Sequence, residues 1–326
     1  MFIGQFAVGF FVRMRSGAIL GVDQNNGQKW VGASAARWPA ESPVETLESR
    51  IKTVLPPQYE DCYEEVQPIS MGSAGLRYDA TGQVAWNEIW GSFCDLAMAG
   101  GPPHKGTLLL PGTESDPTVV AEICRGIQLV TGLPADQSPT PGWVRVGCDS
   151  PTMADWLCRA INMENVSARC EDSMLELPAG PGYRLEKEIK NVITVIAKTC
   201  HYWVEHMWTA QQREIAALFT RLARDFALIQ PSPGDGEAIA DAIHQATGLL
   251  PSAHHYPGWL GFECVDVPTA IWMMRALVVS NVLARREETV LFVPVHSNGE
   301  AVIQTVVQVH SLALGHVTSS TPQVKS

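Results

Sequence analysis

The segment Gly100-Gly101-Pro102-Pro103-His104-Lys105-Gly106 brings together an imidazole, an ammonium group and a backbone that is stiff at its prolines and open at its glycines. An imidazole changes its charge near neutral pH, and a lysine beside it supplies a positive charge, so the pair suits an anionic ligand. The amides of Gly100, Gly101 and Gly106 add donors of the kind that line oxyanion concavities. If the ligand is a substrate, His104 is the general acid and base, Lys105 stabilises developing negative charge, and Asp95 or Cys94 on the preceding helix assists. The segment follows a helix instead of leading into one, so it cannot use a helix N-terminus as a phosphate loop does.

A second stretch, Ser70-Met71-Gly72-Ser73-Ala74-Gly75, is made almost entirely of small residues that let a backbone approach a ligand closely. Ser70, Gly72, Ser73 and Gly75 are its candidate contacts. Its spacing falls one residue short of Gly-x-Ser-x-Gly, and no strand and helix evidently flank it, which argues against a nucleophile elbow. His201 and Glu205 stand i, i+4 and could supply two metal ligands. Lys187 and Lys198 share that face, however, and spacing implies no third ligand, so no residue is assigned to a metal. No motif names a cofactor.

These candidates sit on a chain that is partly written twice. Thr131-Gly132-Leu133, Pro141-Gly142-Trp143, Cys148, Trp156, Arg159, Asn165, Arg169, Glu171 and Pro178 recur as Thr247-Gly248-Leu249, Pro257-Gly258-Trp259, Cys264, Trp272, Arg275, Asn281, Arg285, Glu287 and Pro294. The offset is constant (247 − 131 = 116), and 18 of the 48 positions from 131 to 178 are identical without a gap. Average composition would match about 3 by chance. The expected fold is therefore α/β and internally duplicated: two side-by-side units of 116-residue spacing after a small irregular N-terminal region. The boundaries expected are 1–85 for that region, 86–208 and 209–316 for the repeats, and 317–326 for a frayed tail.

Residues kept in both halves most simply serve the shared fold. Trp143/Trp259 and Trp156/Trp272 read as core, and Arg159/Arg275 with Glu171/Glu287 as structural partners. Residues found in one half are where chemistry could differ. The loop holding His104 and Lys105 belongs to the first repeat alone, as do Cys94, Cys124, Cys158, Cys170 and Cys200. His254-His255-Tyr256 stands in the second repeat where the first has Ser138-Pro139-Thr140.

A net charge of −11 argues against a sequence-independent grip on nucleic acid, which needs a basic surface to displace counterions. No run approaches the roughly 20 apolar residues of a membrane span. The apolar opening of the chain precedes Arg13 and Arg15, the reverse of a secretory signal. Eight cysteines without a Cys-x-x-Cys pair fit reduced thiols in the cytoplasm. The expectation is a cytoplasmic protein that binds a small anionic metabolite or cofactor, with a homodimer allowed for and catalysis left open. The rival readings are a noncatalytic interaction protein and a thiol-based metal or redox protein.

Overall fold

The computed structural model describes residues 43–55, 75–88 and 107–319, together with three short strands near the N-terminus. Those strands, β1 (Val12–Arg13), β2 (Ile19–Val22) and β3 (Lys29–Val31), form an antiparallel sheet in the compact unit Met1–Ser42. The second compact unit is Pro43–Ser326.

The second unit opens with α1 (Pro43–Val54), which buries Leu47, Ile51 and Val54 at helical spacing and ends before Pro56-Pro57. At 75–88, a bridge from Tyr78 to Val84 closes a hairpin through Gly82, whose φ of 83° a side chain would disfavour.

Residues 107–207 contain α2 (Pro117–Thr131), β4 (Ala135–Gln137), β5 (Trp143–Gly147), α3 (Pro151–Met163), β6 (Arg169–Glu171), β7 (Met174–Pro178) and α4 (Lys190–His201). Single π-helical turns, Leu185–Ile189 and Tyr202–His206, flank α4. Helix α5 (Thr209–Leu222) leads into α6 (Gly236–Thr247), β8 (Leu250–Pro251), β9 (Trp259–Glu263), α7 (Val267–Val278), β10 (Arg285–Glu287), β11 (Val290–Pro294) and α8 (Gly299–Ser319). Helix α8 thus runs three residues into the segment that the polar sequence marks as a tail.

The chain is a mixture of helices and antiparallel sheets, with two four-stranded sheets ordered β4-β5-β7-β6 and β8-β9-β11-β10. Strand partners are antiparallel because tight turns at Asp172 (φ 50°) and Glu288 (φ 49°) fold β6 onto β7 and β10 onto β11. Parallel bridges, Leu109 to Val166 and Ile229 to Val282, add one short pairing beside each sheet. Helices α2, α3 and α6, α7 start from side-chain caps at Asp116, Ser150, Asp235 and Asp266, each satisfying an amide that would otherwise lack a partner.

The two sheets keep the same register at the offset seen in the sequence: Trp143 pairs with Pro178, and Trp259 with Pro294. Backbone conformation follows it. Between residues 107 and 319, every described residue with positive φ has a counterpart: Gly132 and Gly248 (75° and 76°), Gly142 and Gly258 (76° and 79°), Asn165 and Asn281 (61° and 68°), Asp172 and Glu288 (50° and 49°). In both segments the last helix packs against the first two, α4 on α2 and α3, and α8 on α6 and α7.

Helix α1 ties the segments together. The buried indoles of Trp156 and Trp272 both donate to it, to the Val54 carbonyl (2.8 Å) and the Glu48 carboxylate (2.5 Å). Between the segments, buried Arg159 bonds Asp155 on its own helix, then reaches the Val278 carbonyl (2.5 Å) and Asn281 Oδ1 (2.6 Å), with its guanidinium over Phe219. In the other direction Arg285 Nε donates to Asn165 Oδ1 (2.9 Å), and Gln230 pairs with both backbone polar groups of Cys170. Burying the Arg159 guanidinium is tolerable because each of its three nitrogens donates a hydrogen bond, whereas Nη1 of buried Arg285 has no hydrogen-bond partner. Arg159 therefore pairs with Asp155, Asn281 and a carbonyl, and the expected partnership with Glu171 is absent. Trp143 and Trp259 hold equivalent strand positions, yet Trp259 is buried and Trp143 only half-buried. No helix among the described residues is long and apolar enough to cross a membrane.

Candidate functional site

Cys94, Asp95, Gly100, Gly101, His104, Lys105 and Gly106 lie outside the described residues, as do Ser70, Gly72 and Ser73. Of the residues expected at a site only Gly75 is described; it is exposed, with open space where a side chain would stand. The described chemistry is found instead on the outer face of the first sheet.

That face is set by simple alternation. In β5, Val144 and Val146 turn into the core, leaving Trp143 and Arg145 on the opposite side; in β7, Leu175 and Leu177 turn inward and Glu176 outward. Register then aligns Asp136, Arg145, Glu176 and Arg169 in one row across four strands. Residues directly opposite in antiparallel strands share a face, and opposite charges there attract. Glu176 is the pivot. Arg169 Nε lies 2.5 Å from its Oε2, Arg145 Nε 3.5 Å from its Oε1, and the hydroxyl of Ser138 donates to Oε1 as well. The Glu176 side chain is 11% exposed, whereas both arginine side chains are 39% exposed. The Arg169 guanidinium lies 4.4 Å above the Trp143 ring.

Each guanidinium has five N–H donors, and one carboxylate cannot occupy ten. Glu176 therefore spaces two arginines and leaves donors of both facing solvent. This is an arrangement suited to a carboxylate or phosphate, with Trp143 as an adjacent flat surface.

The matching row of the second sheet is Ser252, Gly261, Phe292 and Arg285. Arg285 is fully buried between Tyr256 (4.8 Å) and Phe292 (4.3 Å), donates to Glu287, and Tyr256 Oη donates to the same carboxylate (2.9 Å). Burial pulls the Arg285 guanidinium below the usual arginine range, while Glu287 opposes that shift. The segment carrying His254 and Tyr256 lies against this sheet because position 261 is glycine: a Cβ there would stand 2.9 Å from Phe292 and 3.0 Å from the His254 carbonyl. In the first sheet Arg145 occupies that position, and Thr140 that of Tyr256. Within His254-His255-Tyr256 it is Tyr256 that supplies the cover, and both histidines are exposed.

Five of the six described thiols are chemically quiet. Cys124, Cys148, Cys158, Cys170, Cys200 and Cys264 are all unpaired. Burial pushes Cys148 and Cys264 up to about 12, Cys124 and Cys200 up to about 11, and Cys158 well upward. A thiol held protonated is a poor nucleophile and a poor metal ligand. Among the described residues no group of three or more His, Cys, Asp or Glu is placed to hold a metal ion.

Sequence reasoning passed over Arg145 and Glu176 because neither recurs in the second half and neither belongs to a motif. The usable signal was the alternation of Trp143-Val144-Arg145-Val146 and Leu175-Glu176-Leu177, which marks outward residues. Compared with protein-family models, with curated proteins and with solved structures, the chain gives no match.

Proposed function

We propose that this is a cytoplasmic protein, built by internal duplication, that binds a small anionic metabolite on the outer face of the sheet β4-β5-β7-β6. The observation carrying the binding assignment is the Arg145–Glu176–Arg169 row, whose arginines are half-exposed in the first sheet and which is replaced by the covered row Gly261–Phe292–Arg285 in the second. Duplication is supported by the paired positive-φ residues and the shared register. A reducing compartment is supported by the six unpaired described thiols. The His104 and Lys105 loop stays in this proposal on its composition, as a second anion-binding element and, if the protein is an enzyme, the source of its acid and base.

The test is a titration of the full chain with inorganic phosphate and with citrate, read by calorimetry, alongside mass spectrometry of small molecules released from fresh protein. Saturable binding that falls about tenfold or more in Arg145→Ala and in Arg169→Ala, with unfolding midpoints little changed, supports the site. Binding that survives in both variants places the ligand elsewhere. His104→Ala with Lys105→Gln then separates the two elements: lost binding in that variant alone assigns the ligand to the loop.

A further inference from the structure

Helix α4 ends in the π-helical turn Tyr202–His206, in which the Met207 amide bonds the Tyr202 carbonyl five residues back (3.0 Å). In an α-helix, residues five apart point about 140° away from each other around the axis. The wider π turn closes that angle and brings His206 beside His201, with Nε2 of one ring 3.2 Å from Nε2 of the other. Two imidazole nitrogens bound tetrahedrally to one zinc ion at about 2.0–2.1 Å stand about 3.3 Å apart. The two nitrogens stand at hydrogen-bond distance, and that separation is also the span of two ligands on a single ion.

The surroundings fit as well. Glu205 Oε1 lies 3.4 Å from His201 Nδ1, on the side of the ring away from His206. A carboxylate on the remote nitrogen is the usual device that fixes the tautomer of a metal-bound histidine and leaves Nε2 as the donor to the ion. Tyr202 meets the His206 ring edge-on at 5.8 Å. Both cations on this face in the sequence have carboxylate partners: Lys198 is buried against Glu164 (3.0 Å), with its ammonium 6.0 Å from the centre of the Tyr202 ring, and Lys187 pairs with Glu188 (3.4 Å). His206 is half-exposed, so water can complete the coordination.

We propose that His201 and His206 bind one divalent transition-metal ion between their Nε2 atoms, with Glu205 orienting His201. Imidazole donors select Zn2+, Cu2+ or Ni2+ over Mg2+ or Ca2+. The site is independent of the anion site on the first sheet, so either can fail without the other.

The experiment uses the full chain, stripped with a chelator and titrated with Zn2+ by calorimetry. One equivalent per chain is expected, together with a metal-dependent rise in melting temperature. His206→Gln removes both effects, and Glu205→Gln weakens binding about tenfold while keeping the stoichiometry. No binding by the unsubstituted chain, or equal binding by His206→Gln, overturns the assignment. An electron paramagnetic resonance spectrum of the Cu2+-loaded unsubstituted chain decides the matter even if a variant fails to fold. Hyperfine coupling to two imidazole nitrogens supports the site, and coupling to none or to one overturns it.

Discussion

The outer faces of the two four-stranded sheets have the same strand order and register but opposite fates. On the first, Glu176 holds Arg145 and Arg169 in a polar row that solvent reaches. On the second, Phe292 stands where Glu176 does, Gly261 where Arg145 does, and Tyr256 covers the matching arginine, Arg285. One arginine position, 169 or 285, is thereby a half-exposed donor in one half and a fully buried structural group in the other. The same backbone supports both, so the difference lies in three side chains across a sheet and one in the adjacent loop.

The most severe way to break this comparison is to remove the arginine from each half. Arg285→Ala leaves buried Asn165 and half-buried Glu287 without their cation, and should cost about 3–5 kcal/mol in urea unfolding. Arg169→Ala should cost about 1 kcal/mol or less, because its pair is partly in water. Equal losses would show that the exposed row is structural too.

Uncovering the second face is the next test. Tyr256→Thr installs the residue of the first half and removes a ring packed on Arg285 and Phe292; about 2–3 kcal/mol of stability should be lost. It should create no phosphate or citrate site, since Gly261 supplies no second arginine. Anion binding gained by this variant, measured by calorimetry, would mean that one arginine suffices and that the row is not the determinant.

The paired tryptophans sharpen the comparison further. Trp156→Phe strands a buried backbone carbonyl at Val54 and should cost about 1–2 kcal/mol. Trp272→Phe should cost less, because the Glu48 carboxylate it bonds is only half-buried and can turn to water. The smallest effects are expected at Cys148 and Cys264, matched thiols both pushed up to about 12. An unfolded thiol ionises from about 9 while the folded one stays protonated. Their contribution is therefore fully present below pH 9 and declines as pH rises from 9 towards 12. Cys148→Ala and Cys264→Ala should flatten that decline equally, read from unfolding midpoints across the range.

Much of the framework could be read from residue order. Val44, Leu47, Ile51 and Val54 announce α1, and Asp116-Pro117 and Gly132 bracket α2 within a residue. The 116-residue offset anticipates matched strand registers. The site was less legible. Helical periodicity pairs His201 with Glu205, four residues on, and sets His206 on another face because five residues is the wrong period for an α-helix. The repeat marks Trp143 and Trp259 alike as core, although Arg169 and an open face lie above Trp143.

What the sequence determined by itself was local: where capped helices such as α2 and α3 start, and which side of each strand is apolar. These follow from short-range sterics, capping and periodicity, which act within a few residues. Tertiary structure alone decided that Arg145, Glu176 and Arg169 stand in one row, that Tyr256 covers Arg285, and that a π turn sets two histidine nitrogens 3.2 Å apart. Strand register and helix winding depend on how the whole core packs, and a shift of one residue in either would part every one of these groups.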